Sequence, residues 1–297
     1  MPKKKYWETV GISFLGAGSV ATALALSMQN NGYNITGISS KSGETAKNLA
    51  SKIHTEYYKD PKDLIAQSDV TFVAVPDDVL QQLIQTYHWK DGHIIVHTSG
   101  AVAPSLNHSG SSLIIGNFHP LQTFIKGSTL PKGTSFAIEA NDAEFIESLT
   151  ELAQDLDGAA IKIPNELRPL YHLSAVLASN YLVTLLALSS QMWESFGYKS
   201  KEGLDALLPL VRQTIHNIDV HGVNNALTGP INRGDIGTIS KHLETLRQKA
   251  DSILPLYCEF AKHTVGVAKE NGSISGETAE QIIILLETNQ YQGGPSI

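Results

Sequence analysis

Cysteine is nearly absent from this chain of 297 residues, which holds one, Cys258. No disulfide can form within it, as suits a protein of the reducing cytosol. Cys258 falls in a helical pattern, where a thiol belongs to a core or a surface rather than to nucleophilic chemistry. Basic charge is also scarce. Twenty-two Lys and Arg against 29 Asp and Glu leave a formal charge of −7. The only basic cluster, Lys3-Lys4-Lys5, reads as a solvated tail. This balance argues against a nucleic-acid or membrane-surface partner. The N-terminal region lacks the apolar stretch of a signal peptide, and no segment reads as long and apolar enough to span a bilayer. A soluble, cytoplasmic protein is expected. Repeats are missing too, and the length is large for one core, so two domains are expected.

What is present is organised around residues 10–21. Residues 10–15 form a short apolar run suited to a strand buried on both faces. Gly16-Ala17-Gly18-Ser19-Val20-Ala21 follows with the form G-x-G-x-x-A. Val20, Leu24 and Met28 then recur at helical spacing. Gly16 permits a tight strand-to-helix turn, Gly18 lets a pyrophosphate approach the backbone, and Ala21 lets the helix lie close to its strand. The helix N-terminus offers free N–H groups to the anion. Gly16 to Val20 therefore read as a dinucleotide site. The next strand, 33–38, ends in Ser39-Ser40-Lys41-Ser42. An NAD site places a carboxylate here for the ribose 2′-hydroxyl, yet no acid occurs before Glu44. Hydroxyls and a lysine suit a 2′-phosphate instead, so Ser39, Ser40 and Lys41 point to NADP. Ser40 or Ser42 also suits the N-cap of a helix over 43–53.

Further apolar runs predict strands at 69–75, 93–97, 112–120, 134–140 and 159–163, with helices at 79–87 and 142–156. Alternation of this kind implies a parallel, doubly wound sheet. Strand ends in such a sheet aim their loops at the ligand crevice, which makes Val75, Pro76, Asp77 and Thr98 cofactor candidates and Ser99 a substrate candidate. Pro76 and Asp77 would equally suit a helix start. His93 and His97 have i,i+4 spacing, but on a strand they lie about 13 Å apart, too far for one metal, and no metal site is expected. His119 ends a strand, where it either faces substrate or serves as a structural hydrogen-bonder.

From Pro164 strand patterns stop. Residues 170–196 predict one long helix, apolar nearly all round through Leu173, Val176, Leu177, Leu182, Leu185, Leu186 and Leu188. Such a stripe needs burial in a bundle or against a second subunit, and a homodimer is expected. His172, Ser174, Ser179, Asn180 and Gln191 make it too polar to read as a membrane span. His172 and Asn180, eight residues apart, would share one face about 12 Å apart on a straight helix. Helices follow at 204–221, 236–248, 253–271 and 277–287, and 289–297 reads as a loose tail. Thr228-Gly229-Pro230-Ile231-Asn232-Arg233-Gly234-Asp235 is a turn with Asp235 placed as an N-cap, while Arg233 would suit a substrate carboxylate.

His97-Thr98-Ser99-Gly100-Ala101, Asn117-Phe118-His119-Pro120-Leu121-Gln122, the helix with Tyr171-His172 and Ala178-Ser179-Asn180-Tyr181, and Thr228-Gly229-Pro230 with Arg233-Gly234-Asp235 resemble the Rossmann-like proteins with a C-terminal DUF2520 domain. The resemblance covers nearly the whole chain. It implies an architecture similar to 6-phosphogluconate and β-hydroxyacid dehydrogenases, ketopantoate reductase and pyrroline-5-carboxylate reductase. Ketopantoate reductases carry a catalytic lysine on the first long helix of the second domain, with asparagines four and eight residues later. On this sequence those positions fall on His172, Val176 and Asn180. The fold class is thus α/β: an N-terminal Rossmann domain (1–163) plus an all-α C-terminal domain (164–297). The function implied is an NADPH-dependent reductase of a small 2-oxo acid, ketopantoate first. His172 or His119 would supply the proton, Asn180 would orient the carbonyl, and Arg233, Ser99 and Asp235 would bind the carboxylate substrate. An imine reductase of the pyrroline-5-carboxylate type and a non-catalytic NADP-binding sensor are the alternatives.

Overall fold

The computed structural model describes residues 6–102 and 113–290. Lys3-Lys4-Lys5, the expected strand start at Ser112 and the tail beyond Gln290 lie outside the described residues. Two compact units divide between Tyr181 and Leu182.

The first unit is built on seven strands: β1 (Ile12–Leu15), β2 (Ile35–Ser39), β3 (Val70–Val73), β4 (Ile94–His97), β5 (Ile114–Pro120), β6 (Ser135–Ala140) and β7 (Ala159–Lys162). Their order in the sheet is β2-β1-β3-β4-β5-β6-β7. Its helices are α1 (Ser19–Asn30), α2 (Gly43–Lys52), α3 (Pro61–Ala66), α4 (Asp77–Thr86), α5 (Ala143–Asp155) and α6 (Arg168–Ala175). The chain leaves β1 toward β2 on one side and returns past β1 to β3 on the other, so the switch point lies between the carboxyl ends of β1 and β3. Ligands of open α/β sheets bind at such a crevice.

Every residue of β1, β3 and β4 is buried, as apolar strands covered on both faces require. The polar members find partners: Ser13 Oγ contacts Ser68 and Thr71, and Thr71 Oγ1 lies 2.9 Å from His93 Nε2. Caps set the helix starts. Asp60 accepts from Lys62 N–H ahead of α3, whose first residue is Pro61, and Asp142 accepts from Phe145 N–H ahead of α5. Helix α3 went unseen in the sequence because six residues show too little periodicity.

Two expectations about this unit need correction. The sheet is not wholly parallel: β5 and β6 run antiparallel, Asn117 facing Glu139 and His119 facing Ala137. A parallel return would need a crossover helix, whereas residues 121–134 form none. Nor are residues 170–196 one uniform α-helix. Helix α6 passes into a π-helical turn at Val176–Asn180, then α7 (Tyr181–Gln191), then a 3₁₀ turn at Met192–Phe196.

The expectation that no segment is apolar and long enough to cross a membrane also fails. Asn165–Phe196 reaches a mean hydropathy of 1.5 over its best 18-residue window, of which 6% is buried. Uncharged Ser, Thr, Asn and His lower hydropathy too little to offset so many leucines. By length and composition this helix could cross a membrane, as could the core helix of a soluble protein.

The second unit holds most of α7 with α8 (Ser200–Ala226), α9 (Ile236–Lys249), α10 (Leu254–Glu270) and α11 (Gly276–Gln290). Ile239, Leu243, Leu254, Cys258, Ile282 and Leu286 close a core among α9, α10 and α11. Burial pushes the Cys258 thiol pKa up, as befits an inert core residue. Helix α8 is broken at Gly222, whose φ of 74° is left-handed.

Candidate active site

The glycine turn is fixed by contact. Gly16 has φ +113°, and a Cβ there would lie 2.1 Å from the carbonyl oxygen of Ala74 at the end of β3. Its N–H donates to Ser39 O at 2.8 Å. Only glycine fits between β1 and β3 at the switch point. Gly18, by contrast, faces open space: a Cβ there would meet nothing within 4 Å. It is the N-cap of α1, and no side chain caps the helix. The first N–H groups of α1 thus have no side-chain acceptor, and the first turn carries no acid, as an anion site requires. Ala21 is fully buried, so α1 packs closely. The arrangement fits the pyrophosphate of a dinucleotide.

The β2 end sorts its hydroxyls. Ser39 is fully buried, its Oγ without a hydrogen-bond partner, so its hydroxyl does not reach a phosphate at the surface; strand alternation turns it into the core. Ser42 caps α2, accepting from Thr45 N–H. Ser40 and exposed Lys41 remain for a 2′-phosphate.

Two adjoining cavities follow, both built from the first unit. One, of about 310 Å³, runs from Gly18–Val20 past Val75, Pro76 and Asp77 to Thr98, Ser99 and Gly100, and ends at His119 and His172. The other, of about 490 Å³, shares Val20, His119 and His172 and reaches Ser179 and Asn180 along the helix. The expected straight-helix spacing of His172 and Asn180 does not hold, because the π turn lies between them, yet both line this cavity. Asp77 opens α4 and Pro76 is its N-cap, so these residues serve helix and cavity together.

His119 is half-buried, its Nδ1 2.8 Å from Tyr171 Oη. Burial, with His172 and Arg168 nearby, pushes its pKa down to about 4. The Tyr171 phenol is pushed up to about 12, mainly by burial. His172 is exposed at the cavity. Gly100 sits against both rings: a Cβ there would lie 2.8 Å from His119 Nε2 and 3.0 Å from the His172 ring.

Behind this surface lies a polar layer that sequence reasoning missed. Asn117 Nδ2 donates to Ser99 O at 2.6 Å and lies 3.1 Å from His97 Nδ1, tying the ends of β4 and β5 together. Ser99 Oγ accepts from the N–H groups of Ala101 and Val102, so it shapes its turn as well as lining the cavity. Arg168 is fully buried; its Nε donates to Glu139 at 3.0 Å, while Nη1 and Nη2 have no hydrogen-bond partner. Arginine is seldom buried, and nothing local marks position 168. The helical start Leu167-Arg168-Pro169 is the only signal available.

Arg233 and Asp235 belong to the second unit. Asp235 caps α9, both its oxygens engaged by Thr238, and those hydrogen bonds hold its carboxyl below the usual range, with Arg233 adding to them.

Comparison with known proteins fits this geometry. Residues 134–264 match the DUF2520 domain model, a domain of unknown function, and residues 11–100 match the model of NADP oxidoreductases, coenzyme F420-dependent. Through these two matches the chain is similar to Rossmann-like proteins that carry a DUF2520 domain. Protein BF3122 of Bacteroides fragilis, described as a candidate NADP oxidoreductase, is 25% identical with a TM-score of 0.69, over 96% of this chain and 99% of that one. Protein TM1727 of Thermotoga maritima is 25% identical with a TM-score of 0.70, over 87% and 98%. A pyrroline-5-carboxylate reductase of Streptococcus pyogenes shares the fold at 16% identity, TM-score 0.60, over 93% and 98%. Among curated proteins, an NAD(P)+ glycerol-3-phosphate dehydrogenase of Bartonella tribocorum is 28% identical over 172 residues, and the match spans about half of either chain, 49% and 50%. NADP is the cofactor named by the family matched at the glycine turn.

Proposed function

We propose that this chain is an NADPH-dependent reductase of a small 2-oxo acid, with ketopantoate the substrate to test first. The observation that carries the reading is one cavity joining the uncapped glycine turn to His119 and His172. A bound NADPH supplies a hydride to an electrophilic carbon. The N–H groups of α1 would hold its pyrophosphate, Ser40 and Lys41 its 2′-phosphate, and the strand-end residues Val75, Pro76, Asp77 and Thr98 its nicotinamide half. His119 or His172 would meet the oxygen that gains charge, and Asn180 would orient it. Asp235, engaged as a helix cap, positions the Arg233 turn.

A cavity at the cofactor end lined by Ser99, His119 and His172 supports turnover over a sensor without chemistry. NADPH should bind at least tenfold more tightly than NADH, a preference of about 1.4 kcal/mol, and Lys41→Ala should erode it. A panel of 2-oxo acids, ketopantoate included, and cyclic imines, read by loss of NADPH absorbance, tests the reaction. Reduction of imines alone would move the assignment to an imine reductase, and no turnover across the panel would favour the sensor. We place the protein in the cytoplasm as a homodimer. Val183, Leu210, Ile215 and Val223 of the second unit are exposed, and a second copy would cover them.

A further inference from the structure

We propose that Tyr171 is a positioning residue that fixes His119 as a neutral imidazole with its proton on Nε2, so that Nε2–H donates a hydrogen bond into the cavity. A neutral imidazole has one donor and one acceptor nitrogen, and the bond made by one decides the state of the other. Tyr171 Oη lies 2.8 Å from Nδ1, with the two rings edge to face at 87°. Among the described residues His119 Nδ1 is the phenol's one hydrogen-bond partner, and the proposal gives the phenol proton to Nδ1. Nε2 then carries the imidazole proton. A Cβ placed at Gly100 would lie 2.8 Å from that nitrogen and 3.0 Å from the His172 ring, and both histidines line both cavities.

The basic groups near His119 disfavour a second proton. Helix α6 brings Arg168 and His172, and β4 brings His97. Glu139 on β6 is the acid of this layer, and it is paired with Arg168 Nε at 3.0 Å. Burial adds to the effect, and the phenol stays protonated and able to donate. His119 is thus suited to stabilise negative charge with a hydrogen bond rather than to give up a proton as an imidazolium. On the reductase reading, which this inference deepens, hydride forms the new C–H bond and the C=O π pair passes to oxygen. The oxygen is held by Nε2–H and takes its proton from water at the exposed His172 edge. The NADPH supplies the two electrons.

Long-range ¹H–¹⁵N correlation spectra of the full-length protein test the tautomer without any substrate. His119 should show Nδ1 bare and Nε2 protonated throughout pH 5.5–8. Tyr171→Phe should keep the amide spectrum of the folded protein but shift His119 to a mixture of tautomers. A proton on Nδ1 in the unmodified protein, a doubly protonated ring at pH 7, or an unaltered tautomer in Tyr171→Phe would overturn the proposal. If a member of the panel is reduced, Tyr171→Phe should lower kcat about tenfold with the KM for NADPH within about twofold. The rate should show no fall above pH 6 of the kind an imidazolium acid gives; such a fall would also overturn it. Should the tautomer be as stated while nothing on the panel turns over, the reductase reading fails and the positioning role of Tyr171 stands.

Discussion

The sheet of the first unit and helices α7 and α8 of the second treat apolar side chains in opposite ways. In the first, β1, β3 and β4 bury every residue, and even Ser13, Thr71, His93 and His97 lie inside. In the second, α9, α10 and α11 close a core, while α7 and α8 leave Val183, Leu210, Ile215, Ile218, Val220 and Val223 exposed. A parallel strand is covered by its own crossover helices, so its apolar run implies burial within the chain. A helical stripe implies only that something covers it. The difference teaches where a single chain is self-sufficient and where the proposed second copy has work to do.

Gly16→Ala would break the first unit most severely. The new Cβ would sit 2.1 Å from Ala74 O at a φ of +113°, so the β1 turn or the β3 end must move. A loss of several kcal/mol, on the order of 3, is expected in urea unfolding, with NADPH binding abolished; a variant of unchanged stability that still binds NADPH would refute the packing argument. Ile215→Glu tests the second unit. It should convert the proposed homodimer to a monomer in light scattering at micromolar concentration while the helical circular dichroism is kept. An unmodified protein that is already monomeric removes the dimer outright.

The third test concerns acid. Burial pushes the His93, His97 and His119 pKa values down to about 4, 3 and 4, all below the ordinary value of about 6.5. Between those limits the unfolded chain binds protons that the folded chain refuses, so stability rises with pH there. It should be flat above about pH 7 and fall as pH drops from about 6.5 toward 4, by up to about 1.4 kcal/mol per pH unit for each histidine. His93→Gln should remove roughly a third of that slope in unfolding curves at pH 7, 6 and 5. An unchanged slope would show that His93 charges within the fold.

The parts legible in the sequence were the local ones. The glycine turn, the uncapped start of α1 and the caps at Ser42 and Asp235 each depend on residues a few positions apart, and all lie where expected. What depends on distant pairing was not legible. The β5–β6 direction is decided by a loop that fails to form a helix. The inward turn of Ser39 is decided by which face of β2 its neighbours cover. The contacts of His119 with Tyr171 and of Arg168 with Glu139 bridge 52 and 29 residues. His119 was legible as a strand-end candidate, but its partner was not, because nothing near either residue names the other.

The π turn at Val176–Asn180 has a consequence for how relatives are compared. Each residue advances an α-helix by about 100°, and a π turn accommodates one more residue than an α turn spends on the same path. The turn therefore works as a vernier between the His172 half of the helix and the Tyr181 half. Counting four and eight residues onward from a catalytic lysine in an unbroken helix lands on Val176 and Asn180, but it counts along the chain and not around the axis. Residues that answer one another in space across this turn stand one place apart in such a count, and deleting a single residue here would re-aim one half of the helix against the other.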